Sequence, residues 1–190
     1  NAKPMIDKRM PWRIAIVGPE SCGKSTLAAA LAQRWQQQGQ RVAVVAEYAR
    51  DYYAHRPYQP TPQHILAIAR GQLAAEQAAL AAGADILLCD TTVLTSRIWA
   101  EVAFGQAEPA LLALNRPQDY TLTLLAAADL PWQPDPLRSH PEARDWLLGL
   151  YRQALDDAAV DYRLVSGHGD ARLAAAWQAL CDAGLTLPVF

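Results

Sequence analysis

Apolar positions along this chain fall into short β-rich runs separated by longer stretches with helical character. Trp12 to Val17 (WRIAIV) is a compact apolar run ending at Gly18. Lys24 to Gln38 then carries helix formers and stops at Gly39, a residue suited to the left-handed position after a helix. Arg41 to Ala46 (RVAVVA) reads as a second strand. Thr61-Pro62 starts a long helix, with Thr as N-cap and Pro in the first turn, running to about Ala82 before Gly83. Ala84 to Cys89 (ADILLC) is a third strand, continuously apolar as a strand covered on both faces should be. Ser96 to Leu114 is helical and Asp119 to Leu125 gives a fourth strand. Asp129 to Pro141 is a Pro-rich loop, and Ser139 with Glu142 makes a capping box for a helix to about Asp157. Tyr162 to Val165 is a fifth strand, and Asp170 caps a last helix ending near Gly184. Strands alternating with helices through right-handed crossovers predict a five-stranded parallel sheet with helices on both faces. Residues 12–184 are expected to form one domain, and residues 1–11 a polar N-terminal segment, with Asn1-Ala2 read as a cloning remnant.

Composition narrows the classes. The chain has 190 residues, 17 basic and 19 acidic side chains, and a net charge of −2, without the basic excess of a general nucleic-acid binder. Hydrophobic residues make up 52%, enough for a full core, and 19% charged residues argue against disorder. No run is long and apolar enough for a membrane span, and no signal-peptide pattern opens the sequence. Cys22, Cys89 and Cys181 are widely spaced and form no disulfide framework, so a reducing cytoplasm is expected. His55, His64, His140 and His168 show no metal-ligand spacing.

The strongest chemical signal follows the first strand. Gly18-Pro19-Glu20-Ser21-Cys22-Gly23-Lys24-Ser25 matches G-x-x-x-x-G-K-[ST] between a strand and a helix. Glycines let successive backbone N–H groups turn inward onto phosphate oxygens, and the helix N-terminus adds its positive end. Lys24 is expected to reach the β- and γ-phosphates and Ser25 to bind Mg²⁺. Gly18, Glu20, Ser21, Cys22, Gly23, Lys24, Ser25 and Thr26 thus form the expected ATP site. Asp90, directly after ILLC, stands where the magnesium-binding carboxylate of such a fold belongs, although it could instead cap the next helix. The fold expected is therefore the three-layer P-loop NTPase fold, α/β, with a lid.

What surrounds these residues favours transfer over hydrolysis. Thr91 replaces the water-activating Glu of many ATPase motors. No Lys occurs after Lys24, so the guanine-reading N/T-K-x-D is missing, and Val93 breaks the D-x-x-G switch. Small-molecule and nucleotide kinases remain. Behind the second strand stands Glu47-Tyr48-Ala49-Arg50-Asp51-Tyr52-Tyr53. Glu47 could take the proton of an attacking hydroxyl, Arg50 could stabilise charge, and the tyrosines could stack on a flat substrate. Residues 129–144 resemble a lid, with Arg138 and Arg144 placed to reach the transferring phosphoryl group and Asp135 to meet the substrate. Gln72 and Glu76 could face the cleft or equally face solvent, and His168 reads as an exposed loop residue.

GPESCGKSTLA, EYARDYY, the CDTTVLT run, DLPWQPDPLR and SGHGDAR together resemble the ribosylnicotinamide kinase domain of the NadR type, over about Trp12 to Leu180. The resemblance implies ATP-dependent phosphorylation of the ribose 5′-hydroxyl of nicotinamide riboside, giving the mononucleotide of NAD salvage. It implies Glu47 and Asp90 as cleft acids, Tyr48, Arg50, Trp132 and Asp135 near the nucleoside, and Arg138 as the lid arginine. Thr92 departs from the family's second Asp, and Pro136 stands where similar sequences often carry Gly. Larger members add an adenylyltransferase and a helix-turn-helix domain, for which this chain has no room. Two other readings stay open: a P-loop kinase for another nucleoside or small hydroxyl acceptor, and a nucleotide-gated regulatory ATPase.

Overall fold

The computed structural model describes residues 10–19, 23–127 and 144–186. The chain runs β1 (Trp12–Val17), α1 (Lys24–Gln37), β2 (Val42–Val45), α2 (Tyr48–Tyr53), α3 (Pro62–Ala81), β3 (Ile86–Asp90), α4 (Val93–Phe104) and α5 (Pro109–Leu114). A 3-10 turn (Pro117–Asp119) leads into β4 (Leu122–Ala126), followed by α6 (Arg144–Asp157), β5 (Tyr162–Val165) and α7 (Gly169–Asp182). The five strands pair in parallel in the order β2-β3-β1-β4-β5.

Strand alternation divides the core. Ile14, Ile16, Ile86, Leu88, Leu122 and Leu124 share one face of the sheet with Leu27, Leu31 and Trp35 of α1 and Ala176 and Leu180 of α7. Ala15, Val17 and Leu125 point the other way, against Leu94 and Ile98 of α4 and Tyr151, Ala154 and Leu155 of α6. Every residue of β3 is buried, the apolar Ile86–Cys89 as a strand covered on both faces requires, and Asp90 with them. Helix α3 covers Leu87 and Cys89 through Ala75, Ala79 and Leu80. The expected three-layer α/β fold is therefore present. No helix among the described residues is long and apolar enough to cross a membrane.

Three local expectations change. The stretch expected to be one helix over 96–114 is two helices, because Gly105 ends α4 at φ 80° and Pro109 opens α5. The final helix is capped at His168, with Asp170 inside its first turn beside the left-handed Gly169. Asp90 does not cap α4: Thr92 holds that position. The capping pair Ser139 and Glu142 lies outside the described residues.

Candidate functional site

The sheet order brings the predicted chemistry to one edge. β3 and β4 flank β1, so the chain crosses from one side of β1 to the other, and the crevice at the strands' carboxyl ends is where such folds bind ligands. Ile16 pairs with Asp90, and Val45 with Cys89. Gly18 follows β1, Asp90 ends β3 and Glu47 follows β2 by two residues. Three adjacent strands thus deliver the phosphate loop, the Asp90 carboxylate and Glu47, the acid expected on the acceptor side, to the same rim.

Gly18 and Gly23 take positive φ values of 146° and 73°, conformations glycine adopts without the penalty a Cβ brings. Gly23 is the N-cap of α1, with no side chain to occupy the helix's free N–H groups. The Lys24 ammonium donates to the carbonyls of Gly18 and Pro19, both at 3.2 Å, and so lies over the loop. Ser25 donates its hydroxyl to Asp90 Oδ2 at 2.5 Å, across 65 residues of sequence. Asp90 is 3% exposed, and its Oδ1 is buried with no hydrogen-bond partner among the described residues. A buried carboxylate oxygen left in this state carries an uncompensated desolvation cost, which a cation would remove. The pair therefore fits Mg²⁺, which takes one or two protein oxygens and fills its shell with water and nucleotide phosphates. Among the described residues no cluster of three His, Cys, Asp or Glu side chains forms. Thr26, next in the helix, is exposed.

On the acceptor side, Glu47 is the N-cap of α2 and pairs with Arg50, Arg50 Nε to Glu47 Oε2 at 3.2 Å. Gln72 anchors this turn: its Oε1 accepts the Tyr48 N–H at 3.0 Å. Gly71 makes the approach possible, since a Cβ there would lie 2.1 Å from Cε1 of Tyr48. Tyr48, Tyr52, Tyr53, Tyr58 and Trp99 pack into one aromatic wall over Ile68. The Tyr58 and Trp99 rings are stacked, 12° from parallel with centroids 6.3 Å apart. Tyr52 bonds Nδ1 of His64 at 2.6 Å and lies 4.1 Å beneath the Arg56 guanidinium. Burial, and then its tyrosine neighbours, push the Tyr53 hydroxyl up to about 12.

Sequence reasoning missed Trp99 and Tyr58, and left Gln72 and Glu76 undecided. Both of the latter are buried, at 3% and 0% exposure. Gln72 holds the Tyr48 turn at the strands' carboxyl ends, whereas Glu76 serves the frame. Glu76 Oε1 accepts from Arg13 at 3.0 Å and from the Tyr120 hydroxyl at 2.7 Å, with the Arg13 guanidinium 4.8 Å from the Tyr120 ring centroid. Arg13 lies near the opposite end of β1 from Gly18. Burial, and then the Glu76 charge, drive both the Cys89 thiol and the Tyr120 hydroxyl well above their usual range. Arg13 is held above its ordinary value: burial opposes its charge, but the Glu76 hydrogen bond and the surrounding negative groups prevail. Glu20, Ser21, Cys22, Trp132, Asp135 and Arg138 lie outside the described residues, and Arg144 is the first residue of α6.

The profile of a family described as AAA domain matches residues 13–172. The chain belongs to this AAA-domain family. No curated protein matches the chain. Among solved structures, the NadR protein in complex with NR superposes with a TM-score of 0.74 at 20% identity, over 96% of this chain and 53% of that one. The NadR protein in complex with NAD and AMP-PNP gives 0.74 at 16% identity, over 96% and 52%. This AAA-domain chain thus spans about half the length of the NadR chains it matches. Deoxyadenosine kinase from M. mycoides, with product dCMP and a flexible dCDP bound, gives 0.58 at 16% identity, over 90% and 99%. At these identities the likeness shows the fold, a P-loop fold shared with kinases, and it agrees with the NadR-type resemblance of the sequence motifs.

Proposed function

We propose that this chain is an ATP-dependent kinase that phosphorylates the ribose 5′-hydroxyl of nicotinamide riboside, giving nicotinamide mononucleotide. The observation that carries the reading is the Ser25–Asp90 pair behind the phosphate loop, with Glu47 on the adjoining strand end. The motifs shared with the NadR type, and the fold match to a NadR structure holding NR, support this acceptor.

In this reading the loop N–H groups and Lys24 hold the nucleotide's phosphates. Ser25 and Asp90 would hold Mg²⁺, which when bound neutralises charge on the phosphates. Glu47, oriented by Arg50, takes the proton of the 5′-hydroxyl as its oxygen bonds to the γ-phosphorus. The bond from that phosphorus to the bridging oxygen breaks, and ADP leaves with the electron pair. Arg138 and Arg144 act on the charge of the moving phosphoryl group, and Trp132 and Asp135 meet the nucleoside. The aromatic wall of Tyr48, Tyr58 and Trp99 suits a flat heteroaromatic base. The setting is the cytoplasm, and the partner is a small molecule.

ADP release from ATP and Mg²⁺ tests this, with nicotinamide riboside, a panel of other nucleosides, and no acceptor. Release is expected with the riboside. Release only with another nucleoside would keep the kinase and replace the acceptor. Slow release indifferent to any acceptor would favour a nucleotide-gated regulatory ATPase.

Gly71→Ala gives a second handle. The added methyl must displace the Tyr48 ring, so the KM for the riboside should rise roughly tenfold, the equivalent of about 1.4 kcal/mol. The KM for ATP should stay unchanged, because the phosphate loop is carried by a different strand. Steady-state kinetics with each substrate varied in turn would check the split.

A further inference from the structure

Asp90 is followed by a residue whose backbone is wrong for its type. Thr91 has a φ of 78°, in the left-handed region. That region costs an L residue about 1–2 kcal/mol, and a β-branched side chain there is an outlier. The turn itself has a use. The Thr91 N–H donates to the Ile16 carbonyl at 2.9 Å, which extends the β1–β3 ladder one step past Asp90. Glycine would make the same bond without the strain, so the backbone does not explain the threonine.

The hydroxyl offers an explanation. Thr91 is 7% exposed, and its Oγ1 is buried with no hydrogen-bond partner among the described residues. Asp90 Oδ1, on the preceding residue, is in the same state. Thr92 stands at the N-cap of α4 yet makes no side-chain capping bond. An orphaned buried polar group costs about 1–3 kcal/mol, in addition to the strain. Strain retained beside reactive groups is a recurring mark of functional sites.

We propose that Thr91 is a positioning residue for nucleotide-bound magnesium, its hydroxyl holding, with Asp90 Oδ1, a water of the cation's shell. This rests on the reading of the chain as a Mg²⁺–ATP kinase. Mg²⁺ sheds its waters reluctantly, so the groups that orient those waters contribute to its affinity. A threonine hydroxyl both donates and accepts, and can therefore complement a carboxylate that only accepts.

Three variants separate hydroxyl from backbone. Thr91→Gly keeps the turn and relieves strain, Thr91→Val keeps the shape without the hydroxyl, and Thr91→Ser keeps the hydroxyl. Calorimetric titration with AMP-PNP, with and without Mg²⁺, reads the magnesium-dependent gain in nucleotide affinity. That gain should fall roughly tenfold or more in Thr91→Gly and Thr91→Val, as outer-shell changes do, and Thr91→Ser should keep most of it. Affinity without Mg²⁺ should be the same in all four proteins, and Thr91→Gly should melt no lower than the wild type without nucleotide. A full magnesium-dependent gain in Thr91→Val would overturn the proposal and leave the kinase reading intact. A marked drop in the melting temperature of Thr91→Gly would also overturn it, because the threonine would then serve the fold. No magnesium-dependent gain in the wild type would overturn both.

Discussion

Glu47→Ala should lower kcat roughly 10²-fold or more and leave ATP binding nearly unchanged, the range expected when a positioned general base is removed. The geometry explains the split. Glu47 caps α2 after β2, and its carboxylate is paired with Arg50. The phosphate loop is carried by β1 and α1, and its contacts run from Lys24 to Gly18 and Pro19 and from Ser25 to Asp90. None of these involves Glu47. In the proposed mechanism truncation therefore removes the proton acceptor and its pairing with Arg50, while the contacts of Lys24 and Ser25 stay in place. Glu47→Gln should be nearly as slow, since it keeps the shape and loses the base. Single-turnover rates alongside nucleotide titrations would check this, and unchanged turnover in either variant would remove Glu47 from the chemistry.

The largest stability effect is expected far from that rim. Glu76→Ala should destabilise the chain by about 3–5 kcal/mol, the usual result of leaving one partner of a buried ion pair alone. For a chain of this length that corresponds to a fall in melting temperature of roughly 6–20 °C. Glu76 is fully buried in α3 and accepts from both Arg13 on β1 and Tyr120 just before β4. It ties the helix that carries Gln72 to two neighbouring strands. Without it, the Arg13 guanidinium, 18% exposed at the side chain, has no counter-charge in that contact. Replacing both partners, as Arg13→Met with Glu76→Leu, should recover part of the loss, because the unpaired charge is gone while the Tyr120 hydroxyl still lacks the acceptor Glu76 gave it. Thermal melts of the single and double variants decide it. A single variant melting within a degree or two of the wild type would show that the pair does not hold the frame.

The two sites differ in how far the sequence reveals them. The phosphate loop is local: glycines, Lys24 and Ser25 act through a contiguous backbone whose geometry their spacing dictates. Asp90 is nearly as plain, because an acid that ends a wholly apolar run must sit at a strand's carboxyl end. The role of Glu76 depends on Arg13, 63 residues away, and on Tyr120, 44 residues away. Nothing in a polar i, i+4 pair on an Ala-rich helix distinguishes a buried clamp from a solvated face. Gln72 is hidden in the same way, since its partner is a backbone N–H 24 residues upstream. Trp99 reads as one more apolar position of α4 until the fold brings it against Tyr58 of the α2–α3 connection. A glycine followed shortly by Pro109 is a helix stop and restart, but the apolar runs on either side of Gly105 make the break look like one continuous helix. The strain at Thr91 has no signature in residue type at all, because threonine is what that conformation disfavours.

Phosphoryl transfer to a nucleoside hydroxyl is tested most directly by identifying the product. Nicotinamide riboside, ATP and Mg²⁺ should be incubated with the chain, and the mixture read by mass spectrometry and phosphorus NMR. One new phosphomonoester is expected, with the mass of the mononucleotide, coupled to the protons on the 5′ carbon, and formed one for one with ADP. ADP accompanied only by inorganic phosphate, with the riboside recovered unchanged, would contradict a kinase acting on this acceptor.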